Sequence, residues 1–503
     1  MKKLIIASLA AMLLPAAAGA AVIKVTVDSI RYQYITGFGA AACYGLMEPI
    51  RDTSVVNQLY GPDSKVGLNI LRMEISPNLI GNVTTPWDTP YDWHGYLPSV
   101  RAAKERGAII YGVPWSPPGV YKTNGTAQGG NTEDENAQRG KLKPASYSKF
   151  FTWLNTFCAY MKDNNAAVDV VALQNEPDWW VNYSGCLYTP AEMHDLVKRY
   201  ASRLLKDTYG VRLMGGESLN FTPEYTDILL NDPETEQHID LIGGHIYGNP
   251  PLQNMKRAAA TAAKYNKEAW MTEHSVNPRG EQEGIVDLPT WHEQLLFAEE
   301  LNESMLAGCS AYIYWYMIAH WSFIGSGEAT RQPGNDYGKL LDRALVMSHF
   351  SKHLPGATRL GSRANVSIGT NTAFEASAYI KGDSLIVQVI DTTAKSFDIE
   401  FNLPYAVKAG KRILSTEGRL CQEEVLAISE PSKRVTFDLP ARSLTTYIFT
   451  IDNASTAIRN LPAADAATAD TAAPLYNLNG QRVERPVRRG IYIRNGRKFW
   501  ITD

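Results

Sequence analysis

The chain of 503 residues is poor in cysteine, poor in histidine and nearly balanced in charge. Its five cysteines, Cys43, Cys158, Cys186, Cys309 and Cys421, are odd in number and far apart, which excludes a dense disulfide framework. Cys158 and Cys309 lie in apolar surroundings and read as small buried hydrophobes. No Cys/His spacing fits zinc, and no Gly-rich phosphate loop follows the first predicted strand, so neither a metal nor any other cofactor is expected. A net charge of −3 gives no electrostatic case for nucleic acid or an anionic membrane as a partner. No apolar run beyond residue 20 is long enough to cross a bilayer as a helix.

Aromatic residues, by contrast, are plentiful: 11 Trp and 26 Tyr. Most such rings fill cores, but exposed ones stack on the apolar faces of sugars. The N-terminus is also distinctive. Lys2 and Lys3 precede an apolar run from Leu4 to Leu14 and a small-residue site at Ala18-Gly19-Ala20. Residues 1–20 therefore read as a secretory signal peptide, and the mature protein as secreted or cell-surface. No cysteine near that site suggests a lipid anchor.

Length alone predicts at least two domains. Short runs, apolar on both faces, alternate with amphipathic helical stretches over residues 37–352. Strands are expected near 35–40 and at 67–75, 108–114, 168–174, 211–215, 241–245, 268–272 and 311–316, with helices such as 146–162, 190–206 and 288–307 between them. Eight β-then-α units predict an α/β fold, a (β/α)8 TIM barrel. A doubly wound open sheet is the alternative. After residue 353 the pattern becomes alternating, at 372–379, 384–391, 396–401, 434–439 and 443–450, with turns between and no helix. Residues 353–452, joined by the alternating N-terminal 21–36, predict an antiparallel β-sandwich side domain. Residues 453–474 read as a linker rich in Ala, Thr and Asp. Residues 475–503 form a last piece with hairpin signals at Asn479-Gly480 and Asn495-Gly496.

Barrel enzymes carry their chemistry where strands emerge at the C-terminal face. Polar residues appear where most of the apolar runs stop: Arg72-Met73-Glu74, Trp115-Ser116, Asn175-Glu176-Pro177, Glu217-Ser218, His245-Ile246-Tyr247, Glu273-His274 and Trp315-Tyr316. Three carboxylates, Glu176, Glu217 and Glu273, are candidate catalysts. Glycoside hydrolysis needs two, and the fourth and seventh strands face each other across a barrel mouth. Blander readings exist for several residues. Arg72 also suits a structural ion pair, Trp115 and Trp315 barrel packing, Glu217 a supporting or substrate-contact acid, and Asp178 a bond to loop backbone. His245 and His274 read as hydrogen-bonded neighbours. Trp179, Trp180 and Tyr183 either line the leaving-group side or pack against Pro190.

The ordered segments "GFGA" (37–40), "LNILRMEISPN" (68–78), "VPWSPPGVYKTNG" (113–125), "ALQNEPD" (172–178), "ILLNDP" (228–233), "HIYG" (245–248), "WMTEH" (270–274), "YIYWYMI" (312–318) and "HFSKHLPGATRL" (349–360) resemble glycoside hydrolase family 30, in wording most like its bacterial xylanase branch. The resemblance spans roughly residues 22–452. It implies a retaining glycoside hydrolase, an endo-β-1,4-xylanase with xylan as partner. Glu176 is then the general acid/base and Glu273 the nucleophile. Asn175 bonds the sugar 2-hydroxyl, Arg72 and Tyr247 hold Glu273 ionised and aimed, and Trp115 and Trp315 wall the central sugar. An exo-acting xylosidase or xylobiohydrolase, a β-glucanase, or a non-catalytic carbohydrate-binding surface protein are the other readings.

The sequence also departs from that branch. Glucuronoxylanases of the family carry an Arg just beyond the Trp-Tyr pair. Here Ile318, Ala319 and His320 follow, and the next Arg is Arg331. The loop after Glu273 reads "HSVNPRG" and lacks tyrosine; Arg279 in it, or Arg331, is the available substitute. Weak or no dependence on glucuronate is therefore expected. The last 29 residues resemble the C-terminal sorting tail of proteins exported across the outer membrane of some Gram-negative bacteria, which implies export machinery as a partner.

Overall fold

A computed structural model describes residues 22–42, 53–78, 92–248, 251–275, 290–318, 322–325, 338–365 and 374–452, and in the tail 475–477, 482–483, 490–494 and 497–501. Residues 1–20, read as a signal peptide, residues 453–474, read as a linker, and Cys43, Arg279, His320 and Arg331 fall outside the described residues. The chain forms two compact units, 1–452 and 453–503.

In the first unit, strand β1 (Val22–Tyr34) precedes a closed, all-parallel barrel. Its strands are β2 (Gly37–Ala42), β3 (Ile70–Glu74), β4 (Ile109–Val113), β5 (Val170–Ala172), β6 (Arg212–Ser218), β7 (Leu241–His245), β8 (Glu268–His274) and β9 (Ala311–Tyr314). β2 pairs with β9 to close the ring. The doubly wound alternative is thereby excluded. The two-sided apolar runs follow from this topology. Tyr111 and Val113, Val170 and Ala172, and Ala311 and Ile313 alternate into the barrel interior with Met214, Leu241 and Trp270. Ile110, Val171 and Tyr312 point out into the larger core under the helices. Gly39 permits close strand approach, since a Cβ there would lie 2.2 Å from the Ile70 carbonyl oxygen.

The helices begin and end where local chemistry dictates. Thr189 and Glu192 form a capping box for the helix Pro190–Tyr200, with Pro190 in the first turn where its missing N–H costs nothing. Thr290 and Glu293 do the same for Trp291–Ala307, which stops at Gly308 in the left-handed conformation.

The side domain comprises β1 with β10 (Thr358–Ala364), β11 (Phe374–Lys381), β12 (Ser384–Asp391), β13 (Phe397–Thr416), β14 (Arg419–Leu426), β15 (Ser432–Leu439) and β16 (Ser443–Ile451). The 20-residue β13 belongs to both layers. Residues 397–402 pair with β15 and β1, residues 407–415 with β16, and the register breaks between Asn402 and Val407. Phe401 of the first half packs on Tyr447 and Phe449 of β16 with ring centroids 4.8 and 5.6 Å apart, so the layers face each other over one core. One pairing departs from the antiparallel expectation. β1 runs parallel to β13, Val22 opposite Asp398. A parallel pair needs a long crossover, and here the crossover is the whole barrel.

The barrel is tied to this sandwich through its last helix, Asp342–Ser351. His349 is fully buried, with Nδ1 2.8 Å from Thr446 Oγ1 and Nε2 2.8 Å from Ser415 Oγ, while its carbonyl accepts from Gln388 Nε2. Burial pushes this imidazole down to about 3, with His353 adding to the effect. Below pH 6.5 the unfolded chain takes up a proton that the native histidine refuses. Stability therefore falls as pH drops from 6.5 toward 3, by at most about 1.4 kcal/mol per pH unit from this group. Melting temperatures measured between pH 7 and pH 4 should show a flatter acid slope in His349→Gln than in the wild type.

In the second unit, β17 (Leu475–Asn477), β18 (Arg482–Val483), β19 (Gly490–Arg494) and β20 (Arg497–Ile501) form a sheet in the order β18-β17-β19-β20. Arg494 pairs with Arg497 across the two-residue Asn495-Gly496 connection, as the hairpin signal predicts. Among the described residues no helix is long and apolar enough to cross a membrane.

Candidate active site

The site assembles at the C-terminal ends of β3, β5, β6, β7 and β8. β5 is shorter than the apolar run that encodes it, because the chain turns away after Ala172. The Asn175 N–H then donates to the Pro114 carbonyl (2.8 Å) and the Glu176 N–H to the Glu217 carbonyl (2.9 Å). Glu176 and Glu217 both adopt left-handed backbone conformations, with φ of 45° and 64°. For a non-glycine residue this costs on the order of 1–3 kcal/mol and persists where the surroundings over-determine it. The bond between these two residues is one such constraint.

Arg72, fully buried on β3, organises the centre. Its Nη1 donates to Glu273 Oε2 at 2.6 Å, and its Nη2 to Asn175 Oδ1 at 2.7 Å and to Glu217 Oε2 at 3.1 Å. Its guanidinium lies 4.8 Å from the Trp115 ring centroid and 5.8 Å from that of Trp315. Because Asn175 Oδ1 accepts from Arg72, the amide is oriented with its NH2 as the donor end. Tyr247 Oη donates to Glu273 Oε1 at 3.1 Å. His245 completes the set, with Nδ1 3.0 Å from Glu176 Oε1 and Nε2 3.7 Å from Glu217 Oε2.

The electrostatics follow from burial and pairing. Burial pushes Glu217 up, but the Arg72 charge and the His245 hydrogen bond outweigh it and hold the carboxyl at about 2. Burial lowers His245, yet Glu273, Glu176 and Glu217 together lift it to about 10, so it is an imidazolium at neutral pH. Burial raises Glu273, Glu176 adds to the rise, and His245 and Arg72 oppose it. The Tyr247 phenol is pushed well up by burial and then by Glu273 and Glu176, so it stays a donor.

One oxygen of Glu176, one of Glu273 and one ring nitrogen of His245 lie within 4.8 Å of one another. That is a metal-like donor set, and its atoms are already engaged: Glu273 accepts from Arg72 and Tyr247, and Glu176 Oε1 lies 3.0 Å from His245 Nδ1.

Trp115 and Trp315 stack obliquely, centroids 5.7 Å apart, and close the top of the barrel interior with only 3% and 9% exposure. They pack in the barrel and form its roof at the mouth. Trp179 is half exposed. Trp180 instead lies under the Arg139 guanidinium (4.3 Å) against Gly130, and so supports the loop. Asp178 accepts from the Leu219 N–H and the Thr222 hydroxyl, fastening the loop after β5 to that after β6. His274 bonds Glu300. Two features go beyond the sequence reading, which has His245 only as a hydrogen-bonded neighbour and gives Lys122 no role. The His245 ring joins Glu176 to Glu217, and its position at a strand end was the only signal. Lys122, fully buried, donates to the carbonyls of Ala127, Gln128 and Gly185 (2.6–2.8 Å), and burial brings its amine down to about 8.

Two buried carboxylates facing each other at the mouth of a (β/α)8 barrel, with a sandwich beside it, define a glycoside hydrolase. The model of O-Glycosyl hydrolase family 30 matches residues 84–238. Glucuronoxylanase XynC of Bacillus subtilis (strain 168) is 27% identical over 450 residues, covering 84% of this chain and 91% of that protein. Lysosomal acid glucosylceramidase of Mus musculus is 23% identical over 422 residues, covering 74% and 78%. The crystal structure of a family 30 subfamily 8 xylanase from Clostridium acetobutylicum superposes with a TM-score of 0.68 at 29% identity, covering 85% of this chain and 99% of that one. The chain is a glycoside hydrolase similar to the xylanases of family 30.

Proposed function

We propose that this protein is a retaining endo-β-1,4-xylanase, exported from the cytoplasm, with weak or no dependence on glucuronate. The observation that carries the stereochemistry is the approach of Glu176 and Glu273, oxygens within 4.8 Å. Retaining enzymes hold their carboxyls roughly 5–5.5 Å apart, whereas inverting ones leave about 6.5–9.5 Å for a water. Xylan as substrate rests on the likeness to the two xylanases.

In this reading a Glu273 oxygen attacks the anomeric carbon while the glycosidic C–O bond breaks and the leaving oxygen takes the Glu176 proton. The resulting ester is then cleaved by water, whose proton returns to Glu176 and whose oxygen takes the anomeric carbon. The buried charges suit both halves of the cycle. Arg72 and His245 carry two positive charges, Glu217 and Glu273 two negative ones, and Glu176 brings its proton. Once Glu273 is esterified, Glu176 becomes the second anion and the balance is restored. Asn175 offers its NH2 to the sugar 2-hydroxyl.

Tyr247→Phe tests the aiming of the nucleophile. Loss of a hydrogen bond to a charged group should lower kcat by roughly 10- to 150-fold with little change in KM. A KM effect alone would mean that Tyr247 only contacts substrate. Glucuronate independence rests on the absence of an Arg just beyond Trp315-Tyr316. Product profiles on plain xylan, glucuronoxylan, arabinoxylan and β-glucan test the substrate reading. A ladder of lengths from plain xylan is expected. Activity confined to glucuronoxylan would overturn the decoration claim, and xylose or xylobiose alone would overturn endo action.

A further inference from the structure

A second cleft, of about 470 Å3, opens in the loops beyond Glu176, lined by Asn124, Thr126, Gln128, Asn131, Gln138 and Asn182. Residues 114–146 link β4 to the helix Tyr147–Asp163, and Asn182 follows β5, so both loops leave the same barrel end as the catalytic pair. The volume is in the ordinary range for ligand sites. None of these side chains carries charge, so the cleft offers no opposite charge to pair with a phosphate, a carboxylate or a cation. Five of the six are amides, each with a donor and an acceptor, the pairing that neighbouring hydroxyls of a sugar satisfy.

The two loops that carry the cleft are tied to each other. The Gly129 N–H donates to the Tyr183 carbonyl (2.8 Å), and the Gly185 N–H to the Ala127 carbonyl (3.2 Å). The buried Lys122 ammonium gathers the Ala127, Gln128 and Gly185 carbonyls beneath it. No side chain fits at Gly129, where a Cβ would lie 2.4 Å from the Val181 carbonyl oxygen. At the border, Asn124 Oδ1 and the Trp180 indole nitrogen are buried without a hydrogen-bond partner. Both atoms are available to a ligand or water that completes the site.

We propose that this cleft is a distal subsite for a neutral β-linked glycan, holding an undecorated sugar unit on the leaving-group side. The side follows from Glu176, which rests on the glycosidase reading above. The acid protonates the leaving oxygen, and its own loop runs on through the half-exposed Trp179 to Asn182 at the cleft.

The test compares long and short substrates. Gln138→Ala/Asn182→Ala removes hydrogen-bonding groups, and Asn182→Trp fills the space. Each should lower kcat/KM on xylohexaose and longer linear xylo-oligosaccharides by roughly 5- to 50-fold. Activity on an aryl β-xylobioside, whose leaving group is a single aromatic ring with no further sugar to place in the cleft, should stay at the wild-type level and doubles as a check on folding. An unchanged ratio of long to short activity in both variants would overturn the proposal. Wild-type protein inert on every xylo-oligosaccharide would overturn the xylan reading instead, and the same ratio on cello-oligosaccharides would then decide the cleft.

Discussion

Glu273→Ala should stop turnover, with kcat falling by about 10⁴- to 10⁶-fold, the scale reached when a covalent nucleophile is lost. Glu176→Ala should behave differently. General acid catalysis contributes about 10²- to 10⁴-fold, and chiefly where the leaving group needs a proton. Xylan hydrolysis should therefore collapse in Glu176→Ala, while the first step on an aryl glycoside with an acidic phenol survives. Added azide separates the two further. In Glu176→Ala it should attack the glycosyl-enzyme and give a glycosyl azide of retained configuration. In Glu273→Ala it should fill the vacated space and give the inverted one. Identical azide products from both variants, or wild-type turnover in either, would show that the roles are wrongly assigned. Circular dichroism of the Gln variants, which keep side-chain volume, checks that the fold is intact.

Arg72→Met should be the most damaging single substitution for stability. It removes the cation that faces Glu273 at 2.6 Å, Glu217 at 3.1 Å and the Asn175 amide at 2.7 Å, all in a buried setting. Breaking a buried ion pair while leaving its partner in place costs about 3–5 kcal/mol, and here two carboxylates are left. The variant should unfold at markedly lower denaturant concentration than the wild type and lose most xylan hydrolysis. The effect on pH is also signed. Glu217 is held at about 2, below the usual value near 4.5. Its contribution is therefore full above the unfolded value and is lost as pH falls toward 2. Without Arg72 the native carboxyl takes up its proton at higher pH, so this acid-dependent loss should largely disappear from denaturation curves measured between pH 5 and pH 3. A variant with wild-type stability and an unchanged acid limb would show that Arg72 is not the keystone of the cluster.

The strands of the barrel were readable because all-parallel strands are apolar on both faces and stop abruptly at the mouth. The same property made Arg72, Glu176, Glu217, His245 and Glu273 visible as strand-end residues. Their network was not visible, because one guanidinium joining β3 to β5, β6 and β8 is a fact of closure in space. Nor could the left-handed backbone at Glu176 be read, since nothing about glutamate favours it; the bond to the Glu217 carbonyl is one of the constraints that hold it. In the side domain β13 was read only as 396–401. Pro404 and Gly410 look like breakers, yet Pro404 falls where the register is broken anyway, between Asn402 and Val407. β14 escaped notice because Arg419, Gln422, Glu423 and Glu424 give it a polar, largely exposed edge with no alternating apolar face. Trp179 and Trp180 look equivalent in sequence. Packing separates them, one at the surface and one fixed beneath Arg139.

The parallel pairing of β1 with β13 also bears on when the molecule can finish folding. β1 leaves the ribosome or translocon first, but its two neighbours, β10 and β13, arrive only after the entire barrel has emerged. Until then its Ile23, Val25 and Val27 face has nothing to cover it, and both its edges stand open. Contacts so distant along the chain close slowly, and an unpaired strand is a site of aggregation in the meantime. Folding from the N-terminus cannot be completed domain by domain in this protein. A truncation ending after the barrel should leave β1 as a sticky end, and deletion of β1 should unseal a sandwich some 330 residues further on.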